Sequence, residues 1–353
     1  MQKLWFSRSI IKWYKINHRR LPFRETKQPY HIWISEIIFQ QTRIEQGLPY
    51  YNKFIKAFPN VKKLALASEK DVLQLWQGLG YYSRAINLQK AAQHIYKNEN
   101  GIFPRKYVDW LKLNGVGPYT AAAICSIAFN QKHAAVDGNV IRVLSRFFGV
   151  KEKNRPKLQK LIQEKADLLI HPEQAGLHNQ ALMEIGALVC SPKSPLCSEC
   201  PVNSKCFAFQ KNQTDQFPAK QQKLKKVVRY FYYAFLIHKQ KVIVQKRSMG
   251  DIWRQLYQLP LVESKIKLNR KQVEELSFAG YSIAPLKDKM ILHKKHLLSH
   301  QKLEIFFLKQ KIEEIKSIQG DYQLVPIKDL QKFPFPVPIK QAIVALLPPI
   351  NGV

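Results

Sequence analysis

The sequence predicts a multidomain protein: an all-α domain over residues 1–216, a basic linker at 217–228 and an α+β domain over 229–353. Three observations carry this. Apolar residues recur at three- and four-residue spacing through 30–43, 47–57, 69–76, 82–97, 155–169 and 174–189, the period of an amphipathic helix. The stretch QTDQFPAKQQKLKKVVR at 213–229 is polar and basic, which suits a tether rather than a packed element. Beyond it, 230–238, 241–246 and 302–308 are aromatic and β-branched runs of strand length, accompanied by helical stretches at 269–277 and 338–347.

Composition narrows the partners. Of 353 residues, 57 are Lys or Arg against 25 Asp or Glu, a formal charge of +32. That excess exceeds what solubility needs and points to a polyanion, nucleic acid first. A membrane surface is the weaker candidate, because no apolar run approaches spanning length and the basic residues are spread along the chain. The N-terminal MQKLWFSRSIIKWYKINHRRLPF reads as an amphipathic helix without the apolar core and cleavage site of a signal peptide. With four of five cysteines inside seventeen positions, the chain reads as intracellular and cytoplasmic rather than as a secreted disulfide framework.

In chain order, Pro29 opens the first strong helical stretch after the N-terminus, and Ser68, Pro104 and Pro172 punctuate later ones. In Trp33-Ile34-Ser35-Glu36-Ile37-Ile38-Phe39-Gln40-Gln41-Thr42-Arg43, Trp33, Ile37 and Gln40 share one helix side and Glu36 lies in a mostly apolar run. Such a carboxylate is partnered, kept protonated by desolvation, or simply a helix-surface glutamate. Gly78-Leu79-Gly80-Tyr81-Tyr82 reads as a turn. Its Leu79 and Tyr81 are either core residues or tips open to a ligand.

Gly115-Val116-Gly117-Pro118 then leads into an alanine-rich helix at 119–129. A Gly-x-Gly turn at a helix N-terminus is an ordinary tight turn or a cradle of N–H groups for a phosphate. Cys125 within that helix reads as a small core residue. Asp137, in Val136-Asp137-Gly138-Asn139-Val140, heads the next helix as an N-cap or as a catalytic carboxylate. Cys190, Cys197, Cys200 and Cys206 follow the spacing C-x6-C-x2-C-x5-C. Four thiolates this close bind a structural zinc or an iron–sulfur cluster, and only one of the C-x2-C hooks usual for zinc is present.

Taken together, the hairpin at 111–130 and the aspartate some twenty residues on resemble the helix-hairpin-helix DNA glycosylases, with Asn114 where that family usually has proline. The run from Trp33 to Thr42 resembles the WxSExxxQQT signature of their adenine-specific mismatch glycosylase (MutY) branch. So do Leu21-Pro22-Phe23-Arg24 (usually LPWR), 78–85 and Met183-Glu184-Ile185-Gly186-Ala187. The resemblance covers essentially the whole helical part. It implies a monofunctional enzyme that flips adenine out of duplex DNA, where it is mispaired with 8-oxoguanine or guanine, and hydrolyses its N-glycosidic bond. By the same resemblance Glu36 is the general acid, Asp137 stabilises the sugar cation, Asn139 orients the pair, and Tyr119 stands near the sugar where strand-nicking relatives carry lysine. Arg24 and Glu184 line the adenine pocket. Gln41, Leu79 and Tyr81 wedge into the duplex, and Gly115 and Gly117 meet phosphate. The cysteine loop at 190–206 matches the superfamily's 4Fe–4S loop.

The C-terminal part more weakly resembles the Nudix-like domain of the same branch, which reads 8-oxoguanine. Ser299 and His300 stand in its FSH loop, with Leu298 in place of phenylalanine. The catalytic Nudix box is absent: Lys271 sits where a metal-binding glutamate belongs. Implied partners are duplex DNA with adenine opposite 8-oxoguanine or guanine, bound by a monomer, and no membrane. Two alternatives remain at this stage: a related glycosylase for thymine or uracil opposite guanine, and a non-catalytic lesion-binding protein.

Overall fold

The helical spacing of the first part is realised element by element. In the structure, a computed structural model describing residues 2–220, 226–248, 250–282, 292–314 and 321–347, the chain begins with α1 (Gln2–Asn17), α2 (Pro29–Ile38), α3 (Ile44–Ala57) and α4 (Val61–Leu66). It continues through α5 (Glu69–Leu75), α6 (Ser83–Asn98), α7 (Tyr107–Trp110), α8 (Pro118–Phe129), α9 (Gly138–Phe148), α10 (Arg155–Leu169), α11 (Ala175–Leu188) and α12 (Phe207–Gln210). Caps and prolines explain several of the starts. The side chains of Ser68, Asp137 and Asn154 accept the N–H groups of Asp71, Val140 and Lys157, and Pro29 and Pro118 occupy first turns, where a missing N–H costs nothing. α8 and α9 stop at Asn130 and Gly149, both in the left-handed region.

One helix differs from the spacing. α2 ends at Ile38 rather than running to 43, because Phe39 caps it and Gln41 turns into the left-handed region (φ 57°). Neither glycine nor proline marks this stop, so the reading along the sequence carried the helix too far.

The chain divides into two compact units. The first comprises the residues up to Leu66 together with those from Asn87 through the described part of 217–223. The second holds Ala67–Ile86 and the C-terminal residues. Residues 67–86 have helical spacing, yet they cluster with the β-rich part in the second unit. The expected linker is only partly a tether: Phe217 and Ala219 are buried in the first unit, and the Phe217 carbonyl accepts Arg146 Nε at 3.1 Å. Residues 221–225 of it lie outside the described residues.

In the first unit, α8 and α11 approach closely enough that a Cβ on Gly176 would meet the Ser126 carbonyl at 2.6 Å. Cys125 is fully buried, and burial pushes its thiol up to about 11, as a core cysteine requires. The second unit is built on β1 (Val227–His238), β2 (Lys241–Lys246), β3 (Tyr257–Gln258), β4 (Leu261–Ser264), the hairpin of β5 (Ser277–Phe278) and β6 (Tyr281–Ser282), β7 (Leu292–Leu297), β8 (Gln301–Lys311) and β9 (Tyr322–Pro326). The main sheet runs β3-β2-β1-β8-β7, with β4 also on β1 and β9 on β2. β1 is parallel to β8 and antiparallel to β2 and β4.

β1 is apolar almost without interruption because both its faces are covered. Phe231, Tyr233 and Phe235 pack with α14 (Val337–Leu346) on one face. Tyr232, Ala234 and Leu236 pack with α13 (Arg270–Glu274) and the β5–β6 hairpin on the other. This is the α+β module expected of the C-terminal part.

Candidate active site

A cavity of about 1070 Å³ opens in the first unit between α2, the start of α8, the start of α9 and α11. It gathers Arg24, Glu36, Gln41, Gly115, Gly117, Tyr119, Asp137, Asn139 and Glu184, drawn from positions spread over more than half of the unit's sequence.

Glu36 projects from the buried side of α2. It is partly open to the cavity by surface area but ringed by protein atoms, and burial pushes its carboxyl up to about 7. The hydrogen bond from Tyr119 and the charge of Arg24 oppose that rise, while the charge of Asp137 adds to it. Tyr119 Oη donates to Glu36 Oε2 at 2.7 Å. With a proton on Oε1, Oε2 remains the oxygen that accepts this bond. Tyr119 itself is held a phenol, since burial and the two carboxylates raise it far above its usual value.

Asp137 is at once the N-cap of α9 and a cavity residue. Its Oδ1 accepts the Val140 N–H at 2.7 Å and its Oδ2 accepts Asn139 Nδ2 at 2.8 Å. Burial raises its pKa, and these donors together with the charge of Arg142 pull it back. With both oxygens accepting N–H bonds, Asp137 is arranged as an anion. The two carboxylates share one cavity, and burial raises both, but Asp137 accepts more N–H groups than Glu36 has donors to oppose that rise.

Asn139 is oriented in turn. Its Oδ1 accepts Arg142 Nη2 at 2.8 Å, and the same nitrogen reaches the Gly186 carbonyl at 2.6 Å. A Cβ on Gly186 would sit 2.5 Å from Asn139 Cβ, so the glycine of Met183-Glu184-Ile185-Gly186-Ala187 is what lets α11 approach Asp137.

Glu184 is fully buried. Burial alone would raise it, but Arg24 and Arg19 outweigh burial and bring it down to about 2. Arg24 Nη1 and Nη2 donate at 2.7 and 2.6 Å, and Arg19 donates through Nε and Nη2 at 2.9 and 2.6 Å. The result is two bidentate pairs on one carboxylate.

Gly115 and Gly117 differ in what they require. Gly115 needs its φ of 76°, and a Cβ there would meet Asn87 at 2.8 Å. Gly117 has ordinary extended backbone and open space around its missing Cβ. The N-terminus of α8 is left clear for a ligand.

The four cysteines lie in the loop after α11. Burial raises the thiols of Cys197, Cys200 and Cys206, that of Cys200 to about 12, and the charge of Cys190 raises each further. Arg146 Nη1 donates to Cys190 Sγ at 3.2 Å and to the Ser191 carbonyl at 2.7 Å. Arg142 Nε donates to the Cys190 carbonyl at 2.7 Å. Among the described residues, no group of three or more His, Cys, Asp or Glu side chains is closed around the position of an ion. Four mutually repelling, part-buried thiols with a guanidinium donating to one of them nonetheless fit a cluster that draws off their negative charge.

Residues 34–167 match the HhH-GPD superfamily of base excision DNA repair proteins, and residues 232–345 match the NUDIX domain. Over 86% of this chain and 86% of the relative, the sequence is 37% identical to the adenine DNA glycosylase of Buchnera aphidicola subsp. Baizongia pistaciae. It is 33% identical to that of subsp. Schizaphis graminum, over 96% of this chain and 97% of the relative. The chain belongs to the adenine DNA glycosylase family. Among solved structures, a thermostable thymine-DNA glycosylase is 29% identical with a TM-score of 0.55, covering 59% of this chain and 97% of that one.

The remaining predicted residues of this adenine DNA glycosylase relative divide between the two units. Gln41 is exposed among the cavity-lining residues. Leu79, Tyr81, Ser299 and His300 belong to the second unit. Leu79 is buried, whereas Tyr81 is 48% exposed. Ser299 and His300 are exposed on the turn joining β7 and β8, and Ser299 Oγ meets Tyr81 Oη. Three arginines escaped the sequence reading. Arg19 gave no signal beyond standing in His18-Arg19-Arg20. Arg142 and Arg146, four apart on α9, were readable in principle: an arginine inside the apolar run Val143-Leu144-Ser145-Arg146-Phe147 must find buried partners.

Proposed function

We propose that the chain is a monofunctional glycosylase hydrolysing the N-glycosidic bond of adenine mispaired with 8-oxoguanine or guanine in duplex DNA. The observation that carries this is Glu36, a carboxyl kept protonated up to about pH 7, in the same cavity as the carboxylate Asp137. Purine excision asks for one proton donor and one anion beside an oxocarbenium-like sugar. The target adenine leaves the stack to reach them. Glu36 Oε1 gives its proton to N7 as the C1′–N9 bond breaks and its electron pair passes to the base. Asp137, oriented by Asn139, stabilises the sugar cation. Water then adds at C1′ and its proton goes to Glu36. Position 119 offers a phenol and no amine, so the strand is left intact with an abasic site.

Around this centre, Arg24 and Glu184 shape the adenine pocket. Gly115 and Gly117 set the N–H groups of α8 toward a phosphate. Gln41, Leu79 and Tyr81 enter the duplex, and Ser299 and His300 address the opposite base. Cys190, Cys197, Cys200 and Cys206 would hold a 4Fe–4S cluster, whose contribution when bound is to staple the loop at 190–206 at four points. The enzyme acts inside the cell as a monomer, with a catalytic part at 1–216, a basic linker at 217–228 and an opposite-base reader at 229–353.

Single-turnover base release from duplexes carrying adenine opposite 8-oxoguanine, guanine, cytosine or thymine tests the reading. Excision should be confined to the first two, and strand breakage should follow only after alkali. Release of thymine or uracil opposite guanine instead would move the chain to a different mismatch specificity. Tight binding without release would make it a lesion-binding protein.

A further inference from the structure

Within the second unit, α5 and the turn after it direct their polar side chains into the C-terminal β-module. Lys246 Nζ lies 3.2 Å from Glu69 Oε1, Lys70 Nζ sits 4.1 Å from the centre of the Phe333 ring, and Gln74 Nε2 reaches the Gln331 carbonyl at 3.5 Å. These are partly exposed or long contacts, weak anchors on their own. Gln77 is held differently, at both ends of its amide. Nε2 donates to the Phe335 carbonyl at 2.9 Å, and Oε1 accepts Lys340 Nζ at 2.7 Å. One partner lies just before α14 and the other within it.

The next residue opens a turn that repetitive hydrogen bonding does not hold. Gly78, Gly80 and Tyr81 all have positive φ, 108°, 72° and 47°. The far side of the turn is braced from within: Trp76 Nε1 donates to the Gly80 carbonyl at 3.2 Å, and Arg84 Nη2 donates to the Leu79 and Gly80 carbonyls at 3.2 and 3.1 Å. Gln77 ties the near side to α14. Tyr81, at the tip, meets Ser299 on the β7–β8 turn.

We propose that Gln77 is a positioning residue whose clamp by Phe335 and Lys340 sets the 78–82 turn, so that the C-terminal module governs extrusion of the target base as well as reading its partner. The inference rests on the proposed entry of Tyr81 into the duplex. Substituting Gln77 removes the hydrogen bonds to Phe335 and Lys340 without touching the cavity carboxylates. The effect should therefore fall on unstacking of the base and leave chemistry on an extruded base alone.

The test uses the full chain and a duplex with 2-aminopurine in place of the target adenine opposite 8-oxoguanine, in a Glu36→Gln background so that the base stays attached. Gln77→Ala should reduce the fluorescence gain on binding, and with Glu36 intact should slow single-turnover adenine excision about tenfold, the worth of one or two hydrogen bonds. Affinity for a duplex already holding an abasic site, and the thermal midpoint, should stay near native. Lys340→Met should reproduce part of the loss, and Lys340→Arg, which keeps the donor, should restore it. Native extrusion and excision in both Gln77→Ala and Lys340→Met, alongside a clear loss in Tyr81→Ala, would overturn the inference and leave the proposed function standing. Silence in Tyr81→Ala as well would remove the turn from DNA and overturn the inference together with the proposed role of Tyr81, leaving base excision itself standing. A proportional fall in abasic-duplex affinity and thermal midpoint would reduce Gln77 to a stability residue and also overturn it.

Discussion

The polar groups of the cavity and those of the β7–β8 turn stand in contrasting surroundings. In the first unit, Glu184 carries two bidentate guanidiniums, Asp137 accepts two N–H groups and Glu36 is bound by a phenol. In the second unit, Ser299 and His300 stand exposed on a turn between two strands. Orientation in the cavity is settled before any substrate arrives, and its cost has been met by folding. The exposed turn is held more lightly, by contacts such as that of Ser299 with Tyr81, and leaves more of its ordering to the moment of binding. Losses in the cavity should therefore be large and felt in rate or stability, and losses on the turn should be small and felt in preference.

The sharpest version of the contrast is Glu36→Gln. It should bind the mispaired duplex like the native protein and lose roughly 10²–10⁴-fold in single-turnover excision, the range of general acid catalysis. A near-native rate would take the acid role from Glu36.

Glu184→Ala comes next. It leaves the guanidiniums of Arg19 and Arg24 facing each other without their shared anion. Breaking a buried pair from one side costs about 3–5 kcal/mol, to be read from urea unfolding. The acid side has a sign of its own. Because the folded protein holds Glu184 down to about 2, its stabilisation is complete above the unfolded-state value of roughly 4.3. It is lost as pH falls from there toward 2. Glu184→Gln should flatten that part of the stability profile.

On the exposed side, Ser299→Ala combined with His300→Ala should reduce the preference for adenine opposite 8-oxoguanine over guanine by roughly tenfold, as the loss of polar base contacts would. The chemical step itself should hardly change. Equal excision ratios before and after would take the β7–β8 turn out of recognition.

The smallest effect returns to the cavity. Glu36 must carry its proton to act, so excision should decline above pH about 7; it should also fall at the acid end, where Asp137, whose pKa burial raises, takes up a proton. Tyr119 donates to Glu36 and lowers its pKa. Tyr119→Phe should therefore move the decline to higher pH. An unmoved profile would separate the phenol from the titration.

The two units also differ in how far their sequence could be read. Pattern found α10 at 155–169 and β2 at 241–246, because hydrophobic period and local caps decide such elements. It missed β7, where Leu292, Lys294 and His296 alternate with exposed His293, Lys295 and Leu297. This is the edge of the sheet, and edge strands carry charge to discourage further pairing. Pattern also ran α2 on to 43, since its stop at Ile38 comes with the Phe39 cap and the left-handed Gln41 and not from a breaker.

By itself, then, the sequence determined the periodicities, the helix starts at Ser68 and Asp137, the clustered cysteines and the motifs containing Glu36 and Asp137. All of these are local: each depends on residues within a few positions of one another. Only the tertiary structure decided that Glu36 would be bound by Tyr119, that Arg19 would join Arg24 on Glu184, and that residues 67–86 would pack with the C-terminal module. Those outcomes join residues from 83 to more than 250 positions apart. Desolvation and charge pairing act through space, and no local pattern records which distant group will fill it.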